Sequence, residues 1–199
     1  MELVIATTNL HKVREYRDIL KGFKRLDIRS LIHHPDYPIR EPASATLQER
    51  ALEKARQALA TFNSLVIADE SILVVPALQG APGLNSRRYS GEEATDAENR
   101  KKLLKEMAHL QNHERTAYFE CCLVLMTPSG VTKTASATAY GEIALEEKGG
   151  NGFGYDSLFV KQDYDKTYGE MSDAIKNRIS HRSKALEKLM PFLEQTCTT

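Results

Sequence analysis

The residues with the clearest chemical potential lie in two short segments of the second half of the chain. Segment 151–156 reads Asn-Gly-Phe-Gly-Tyr-Asp, and segment 176–182 reads Lys-Asn-Arg-Ile-Ser-His-Arg. Glycines let a ligand approach the backbone closely, aromatic rings offer stacking faces, and a carboxylate can accept hydrogen bonds from the edge of a heterocyclic base. The second segment adds cationic donors at Lys176, His181 and Arg182. Together these residue types predict half of a nucleotide-binding site.

The N-terminus supplies a matching half. The apolar run 3–6 predicts a buried strand, which continues through Thr7, Thr8 and Asn9 into a helical pattern. A strand followed by a polar turn and a helix N-terminus forms a favourable anion cradle. Each signal has an ordinary alternative on its own, because Gly-Phe-Gly is often a turn, a cationic cluster is often a solvated face, and Thr-Thr-Asn is a common helix cap. Only the combination favours a ligand.

Adjacent carboxylates at Asp69 and Glu70 offer a different chemistry. They lie between the apolar runs 65–68 and 72–75, where we expect a loop that can present them. Phosphoryl transfer needs oxygen ligands for a hard cation and a group that orients water, and a carboxylate suits either task. The alternative is a capped turn that pairs with surface lysines. Further oxygen ligands are available at Glu41, Glu49 and Glu53.

Length, charge and cysteine content exclude several classes of protein. The chain has 199 residues, enough for one large domain, and 27 basic against 27 acidic residues give a formal net charge of zero. This balance argues against a nucleic-acid polymer or an anionic membrane as a partner, so we expect phosphate binding to be confined to a pocket. No run approaches the roughly 18 apolar residues of a membrane span, and the first residues do not resemble a secretory signal. The 3 cysteines lack zinc-site spacing, and small buried hydrophobes in a reducing cytoplasm explain them best.

Alternating hydrophobic periods predict the elements that must position these residues. Strands are expected at 3–6, 26–31, 65–68, 72–75, 115–126, 131–144 and 157–160. One helix is expected to begin at Asn9, and others to span 46–62, 92–110 and 178–193. The mixture predicts an α/β fold with a mixed, strongly bent sheet, flanking helices and two lobes around a central cleft. No internal repeat or linker is visible, so residues 1–199 are expected to form a single domain.

Taken together and in order, the motifs resemble the inosine triphosphate pyrophosphatases. The resemblance covers nearly the whole chain through the segments 6–12, 50–55, 68–71, 80–83, 86–89, 152–156 and 179–182. It implies a mixed α/β fold with a central cleft, a homodimer, a requirement for Mg²⁺, and hydrolysis of ITP, dITP and XTP to the monophosphate and pyrophosphate. The implied partner is a free nucleoside triphosphate, and the implied location is the cytoplasm.

The same resemblance implies roles for individual residues. The triphosphate would contact Thr7, Thr8, Asn9, Leu10, His11, Lys12, Lys54 and Arg88, and Ser71 would be a further contact with the substrate. The base would contact Phe153, Gly154, Tyr155, Asp156, Lys176, His181 and Arg182. The Phe153 ring would stack on the purine, while the cationic donors would read its 6-oxo edge. Adenine carries an amino group at this position, and an amino group is also a donor. Two donors that face each other in a buried pocket are costly in free energy.

The metal and catalytic positions depart from the usual family pattern. The family commonly has Asp-Asp-Ser-Gly, whereas this chain has Asp-Glu-Ser-Ile at 69–72. Asp69 and Glu70 are then the expected catalytic residues. The expected Mg²⁺ ligands are Glu70 and Glu41. The family's first metal-binding glutamate aligns with Pro42, and Glu41 is the carboxylate next to that position. A glutamate can still bind magnesium and orient water, but its oxygens lie one methylene further out.

Two alternatives to this function remain. The first is a general or modified-pyrimidine nucleoside triphosphate pyrophosphatase on a similar fold, which would prefer dUTP or methylated pyrimidines to ITP. The second is a non-enzymatic nucleotide sensor with an altered metal site, which would bind ITP without turnover.

Overall fold

A mixed β-sheet of seven strands and six α-helices build the described part of the chain, residues 1–40, 42 and 44–198 of this computed structural model. The strands are β1 (Glu2–Ile5), β2 (Asp27–Ser30), β3 (Leu65–Val74), β4 (Pro82–Gly83), β5 (Thr116–Met126), β6 (Thr132–Ile143) and β7 (Phe159–Lys161). The helices are α1 (Leu10–Ile19), α2 (Leu47–Phe62), α3 (Asp96–Glu106), α4 (Asp173–Ile179), α5 (His181–Glu187) and α6 (Met190–Thr198). The strands pair in the order β2-β1-β3-β5-β6-β7, with β4 on β3. Parallel and antiparallel pairs both occur, which confirms the predicted α/β class with a mixed sheet.

The chain divides into two compact units. The first comprises Met1–Ser71, Cys121–Ala137 and Arg182–Thr199, and the second comprises Ile72–Glu120 and Thr138–His181. Strands β3, β5 and β6 each contribute residues to both units. Each unit has hydrophobic clusters of its own.

Parallel strands form the centre of the first unit. β1 pairs in parallel with β2 and with β3, which sets Leu3 opposite Leu65 and Ile5 opposite Ile67. Successive side chains of a strand point to opposite faces, and both faces of these strands are covered. One face packs against α1, α5 and α6, and the other packs against α2. The buried residues of α2 are small, which lets the helix lie close to the sheet: Ala51, Ala55 and Ala58.

Aromatic side chains dominate the core of the second unit. The ring centroid of Phe159 lies 4.7 Å from that of Phe119 and 5.2 Å from that of Tyr168. Gly141 of β6 lies directly against β7, where a Cβ would overlap the Val160 carbonyl oxygen. A glycine is therefore required at this close approach of two backbones.

The prediction of a single helix over 178–193 is wrong. The structure has the end of α4, then α5 and α6, in this region. Ser180 adopts an extended backbone, with φ −72° and ψ 159°, and this ends α4. Pro191 lies in the first turn of α6, where its ring is tolerated, whereas a helix interior excludes it. Helix α3 also begins later than predicted, because Thr95 and Glu98 form a reciprocal capping box at its start.

The described cysteines are free thiols, and two of them are buried. Cys121 is 0% exposed and Cys122 is 1% exposed. This confirms the interpretation of the adjacent pair as small hydrophobic core residues. Separately, none of the described helices combines the length and the hydropathy that crossing a membrane requires.

Candidate active site

The turn after β1 is organised by its own polar side chains. The Asn9 carboxamide oxygen accepts hydrogen bonds from the backbone N–H groups of His11 at 2.9 Å and Lys12 at 3.2 Å, which makes Asn9 the N-cap of α1. The Thr7 hydroxyl accepts from the Asn9 backbone N–H at 3.2 Å. The predicted start of the helix at Asn9 is confirmed to within one residue. The remaining residues of this turn are exposed: Thr8 and Leu10.

Lys12 belongs to a buried cluster of charges around Asp69 of β3. Its Nζ lies 2.8 Å from Asp69 Oδ2, and the Nε of Arg182 lies 3.2 Å from the same oxygen. The Ser71 hydroxyl donates to that oxygen at 3.2 Å and accepts from Arg182 Nη2 at 3.1 Å. The Nη1 of Arg182 pairs with Glu15 of α1. The Asp69 and Arg182 side chains are each 1% exposed, so these two charges are almost fully desolvated.

The two adjacent carboxylates lie inside a strand, so the predicted loop between two short strands is wrong. β3 runs through them without a break. Because successive strand side chains point to opposite faces, Asp69 and Ser71 lie on the face of α1 and α5, whereas Glu70 lies on the face of α2. There Glu70 pairs with Lys54 of α2. The neighbouring carboxylates therefore have different partners.

Of the two adjacent carboxylates, Glu70 is the more accessible to a cation. Its side chain is 17% exposed, against 1% for Asp69. The other predicted ligand, Glu41, lies outside the described residues. Among the described residues there is no group of three or more His, Cys, Asp or Glu side chains that could hold a metal. Magnesium is commonly bound by one or two carboxylates together with substrate phosphates and water, so this donor set fits a cation that arrives with a triphosphate.

The neighbouring cations determine the protonation of Asp69. Burial alone would raise the pKa of its carboxyl, but the charges of Lys12 and Arg182 outweigh burial and hold that pKa well below its usual range. Burial likewise opposes the charge of Arg182, and the carboxylates of Glu15 and Asp69 raise its pKa. Asp69 and Arg182 therefore stay ionised at neutral pH, and Asp69 is a poor proton acceptor.

We predict that Asp69 makes the stability of the fold depend on pH. A carboxyl whose pKa is lowered by folding stabilises the fold above its unfolded pKa, about 4, and this stabilisation is lost as the pH falls toward the folded pKa. Between about pH 6 and pH 3, the free energy of unfolding should fall by about 1 kcal/mol more for the wild type than for Asp69→Asn. Urea unfolding at a series of pH values measures this difference. Exposed Asp36→Asn should keep the wild-type slope, and equal slopes for the wild type and Asp69→Asn would contradict the assignment.

The glycine-rich segment of the second unit is folded around Asp156. Oδ2 of Asp156 accepts a hydrogen bond from the Phe153 backbone N–H at 2.8 Å and lies 2.5 Å from Lys176 Nζ. Lys176 is 3% exposed, and its ammonium lies 4.6 Å from the centroid of the Phe153 ring, a cation–π distance. Gly152 has a φ of +78°, and a Cβ there would overlap the Asp156 carboxylate, so the turn requires glycine. The structure thus brings three of the predicted base contacts together.

His181 and Arg182 are consecutive in sequence but have different surroundings. His181 belongs to the second unit, where its ring stacks on that of Phe119 with centroids 4.8 Å apart and planes inclined by 12°. Arg182 belongs to the first unit, where all three of its guanidinium nitrogens contact side chains of the Asp69 cluster. The two residues were predicted to serve the base together, and their role there stays a prediction.

Tyr155 connects the glycine-rich segment to the segment that carries Arg88. The Tyr155 side chain is buried, and its hydroxyl donates to the Ser86 carbonyl at 2.8 Å. Arg88 lies two residues further along, where its side chain is 30% exposed and its Nε is 3.2 Å from Glu92 Oε2. Arg88 is thus partly buried, and its ion pair with Glu92 is of the surface kind that contributes little stability.

Glu15, which completes the Arg182 contacts, is absent from the predicted site. It is 8% exposed and lies three residues after Lys12 on α1, so both side chains lie on one face of the helix. A carboxylate beside the apolar stripe of a buried helix face needs a cation as partner, and this is a usable sequence signal. The partner itself is 167 residues away and cannot be identified from spacing.

The chain closely resembles proteins of one known family. The Ham1 family model matches residues 3–192. A dITP/XTP pyrophosphatase of Protochlamydia amoebophila is 53% identical over 195 residues, which are 98% of this chain and 98% of the relative. The Ham1 protein structure of Staphylococcus aureus is 36% identical with a TM-score of 0.83, over 98% of this chain and 100% of that one. A Ham1 protein structure from Coxiella burnetii is 34% identical with a TM-score of 0.85, over 98% and 99%. The resemblance predicted from the motifs is thereby confirmed, and the chain belongs to the Ham1 family.

Proposed function

We propose that the protein hydrolyses deaminated purine nucleoside triphosphates, namely ITP, dITP and XTP, to the monophosphate and pyrophosphate. The observation that carries the proposal is the buried Lys176, which bonds Asp156 beside the Phe153 ring. A cationic donor next to an aromatic face suits a base that presents a keto oxygen. The relative at 53% identity, named a dITP/XTP pyrophosphatase, supports the same substrate class.

Selectivity for the base is proposed to rest on hydrogen-bond donors. An ammonium group has donors and no acceptor, so Lys176, which bonds Asp156, can offer only donors to a base. Adenine presents an amino group in place of the 6-oxo group, and this amino group is also a donor. A buried donor that faces another donor loses about 1 to 3 kcal/mol of binding free energy. The further proposed contacts with the base are those that the family resemblance implies: Gly154, Tyr155, His181 and Arg182.

The triphosphate is proposed to bind to the turn 7–12 and to the cations of the first unit. Lys12 and Lys54 face the carboxylates of Asp69 and Glu70, and phosphate oxygens carry the same sign of charge as these carboxylates. The lysines can therefore exchange or share their partners when a triphosphate binds. Two further contacts are proposed from the resemblance: Arg88 with the triphosphate, and Ser71 with the substrate.

Glu70 is proposed to orient the attacking water and to hold Mg²⁺, with Glu41 as a second ligand. Magnesium, when bound, neutralises charge on the phosphates and makes phosphorus more electrophilic. The water oxygen bonds to the α-phosphorus as the bond from that phosphorus to the bridging oxygen breaks, and pyrophosphate leaves with that oxygen. Glu70 is proposed to take the water proton, because its side chain is 17% exposed against 1% for Asp69. Asp69 is the second proposed catalytic residue, and its contact with Lys12 supports a role in fixing that lysine at the phosphates.

We also propose that residues 1–199 act as a single domain and form a cytoplasmic homodimer. The family match covers residues of both compact units, which supports a single domain. Tyr140 is 58% exposed and its ring lies 5.8 Å from that of Tyr118, so this pair offers apolar surface that a second copy can cover. The cytoplasm is the compartment in which free nucleoside triphosphates, the proposed substrates, are used.

A pyrophosphate-release screen tests the substrate class and the metal requirement together. Common, deaminated and methylated nucleoside triphosphates are compared in Mg²⁺ and in excess EDTA. The proposal predicts the highest kcat/KM for ITP, dITP and XTP, and loss of turnover in EDTA. Faster turnover of dUTP or methylated pyrimidines would favour a pyrimidine pyrophosphatase, and tight binding of ITP without turnover would favour a nucleotide sensor.

A further inference from the structure

Helix α3 holds both hydrogen-bonding groups of a single glycine in the base segment. Asp96 Oδ2 accepts from the Gly154 backbone N–H at 2.7 Å, and Arg100 Nη1 donates to the Gly154 carbonyl at 2.8 Å. Asp96 and Arg100 are one helical turn apart and so share a face of the helix. Gly154 has a φ of +60°, which side chains disfavour. Two helix side chains therefore clamp the backbone that connects Phe153 to Tyr155.

Arg100 extends this clamp to the C-terminal flank of the segment. Its Nε lies 2.9 Å from Glu147 Oε2, and the same oxygen accepts from the Ser157 hydroxyl at 3.1 Å. The Arg100 side chain is 18% exposed, so these contacts are partly shielded from water. Helix α3 thus holds the middle of the segment 152–156 directly, and through Glu147 it also holds the residue that follows the segment.

The same helix also holds the segment that carries Arg88. Asn99 Nδ2 donates to the Arg87 carbonyl at 2.8 Å, and Asn99 Oδ1 accepts from the Ser90 backbone N–H at 2.8 Å. Asn99 is 2% exposed, so water competes little for these bonds. Helix α3 is therefore a common support for two segments that carry proposed substrate contacts.

The helix macrodipole explains why an aspartate suits position 96, but it does not explain the contacts that Asp96 makes. An aspartate in the first turn stabilises a helix through the macrodipole wherever its side chain points. The dipole does not explain why its carboxylate bonds Gly154, nor why Arg100 bonds the other side of the same residue. Two side chains that bond both backbone groups of one residue indicate that the conformation of the held segment matters for its function.

We infer that Asp96 and Arg100 are positioning residues that preorganise the base segment for the purine. The inference rests on the proposed function, because it assigns the segment 152–156 to base binding. A segment already held in its binding conformation loses little conformational entropy when the base binds, whereas a released segment must be ordered at that moment. Loss of the clamp should therefore raise KM for ITP with little change in kcat, since the bond that breaks is at the phosphates.

Steady-state kinetics of Asp96→Ala, Asp96→Asn and Lys101→Ala test this inference. Asp96→Ala should raise KM for ITP by about 3- to 30-fold and leave kcat within about twofold of the wild type. Asp96→Asn keeps an oxygen that can accept from Gly154, so it should recover most of the affinity. Lys101→Ala changes an exposed residue of the same helix and should match the wild type. An unchanged KM in Asp96→Ala, or equal losses in the alanine and asparagine variants, would overturn the inference.

Amide hydrogen exchange in the free protein separates this inference from the proposed function. Peptides that span 150–158 should exchange faster in Asp96→Ala and Arg100→Ala than in the wild type, while peptides of β1 should not change. If the wild type does not turn over ITP, the proposed function fails, and the exchange rates still decide whether the clamp exists. Unchanged exchange at 150–158 in both variants would show that these side chains do not hold the segment.

Discussion

Replacing Glu70 with glutamine is expected to lower kcat for ITP by about 100-fold or more and to leave the Kd for ITP within about threefold of the wild type. The amide keeps the shape of the side chain but removes the charge that attracts magnesium and the group that takes the proton of water. Binding should be spared because the proposed contacts with the base involve other residues of the chain. Pyrophosphate release measures kcat, and equilibrium titration with ITP measures Kd.

Two further variants make the Glu70 result specific. Glu53→Gln removes a carboxylate of the neighbouring helix α2, which bonds Ser44 and Gln57, and it should leave turnover within about twofold of the wild type. Glu70→Asp restores the residue that is usual in the family and should remain active. Normal turnover in Glu70→Gln would show that another group orients the water.

Arg182→Ala is expected to lower the free energy of unfolding by about 3 to 5 kcal/mol. The change removes the cation that pairs with Glu15 and Asp69, and it leaves buried carboxylates with less compensation for their lost hydration. It also leaves the Ser71 hydroxyl without the donor at Nη2 of Arg182. Urea unfolding at neutral pH measures the loss.

A double-mutant cycle assigns this loss to the buried charges. Glu15→Gln in the Arg182→Ala background removes one uncompensated carboxylate and should recover part of the stability, whereas a loss of packing would not be recovered. Arg178→Ala removes an exposed arginine of α4 and should cost less than about 0.5 kcal/mol. Wild-type stability in Arg182→Ala would contradict the charge cluster. The ratio of kcat/KM for ITP and ATP, measured on folded variants, tests the predicted role of Arg182 at the base.

The turn after β1 and the turn around Asp156 could be predicted because their interactions are local. The bonds of Asn9 with Thr7, His11 and Lys12 span two or three positions. The bond from the Phe153 backbone N–H to Asp156 spans three positions. Short polar side chains and glycines therefore encode these turns directly, and a sequence motif is sufficient to find them.

The charge cluster could not be predicted in this way because its members are distant in sequence. Lys12 lies 57 residues and Arg182 lies 113 residues from Asp69. Without partners, a buried carboxylate is costly, and for this reason the polar run after Ala68 indicated a loop. The charges of Lys12 and Arg182 offset that cost and allow β3 to continue. The contacts of Asp96 and Arg100 with Gly154 span 58 and 54 residues, and no local pattern indicates them.

The products formed from a mixture of ITP and ATP test the proposed function most directly. The wild-type protein is incubated with equimolar ITP and ATP in Mg²⁺, and the products are separated by ion-exchange chromatography. We predict that IMP and pyrophosphate appear in equal amounts while ATP remains. Formation of IDP and inorganic phosphate, or consumption of ATP at the same rate as ITP, would contradict the proposed function.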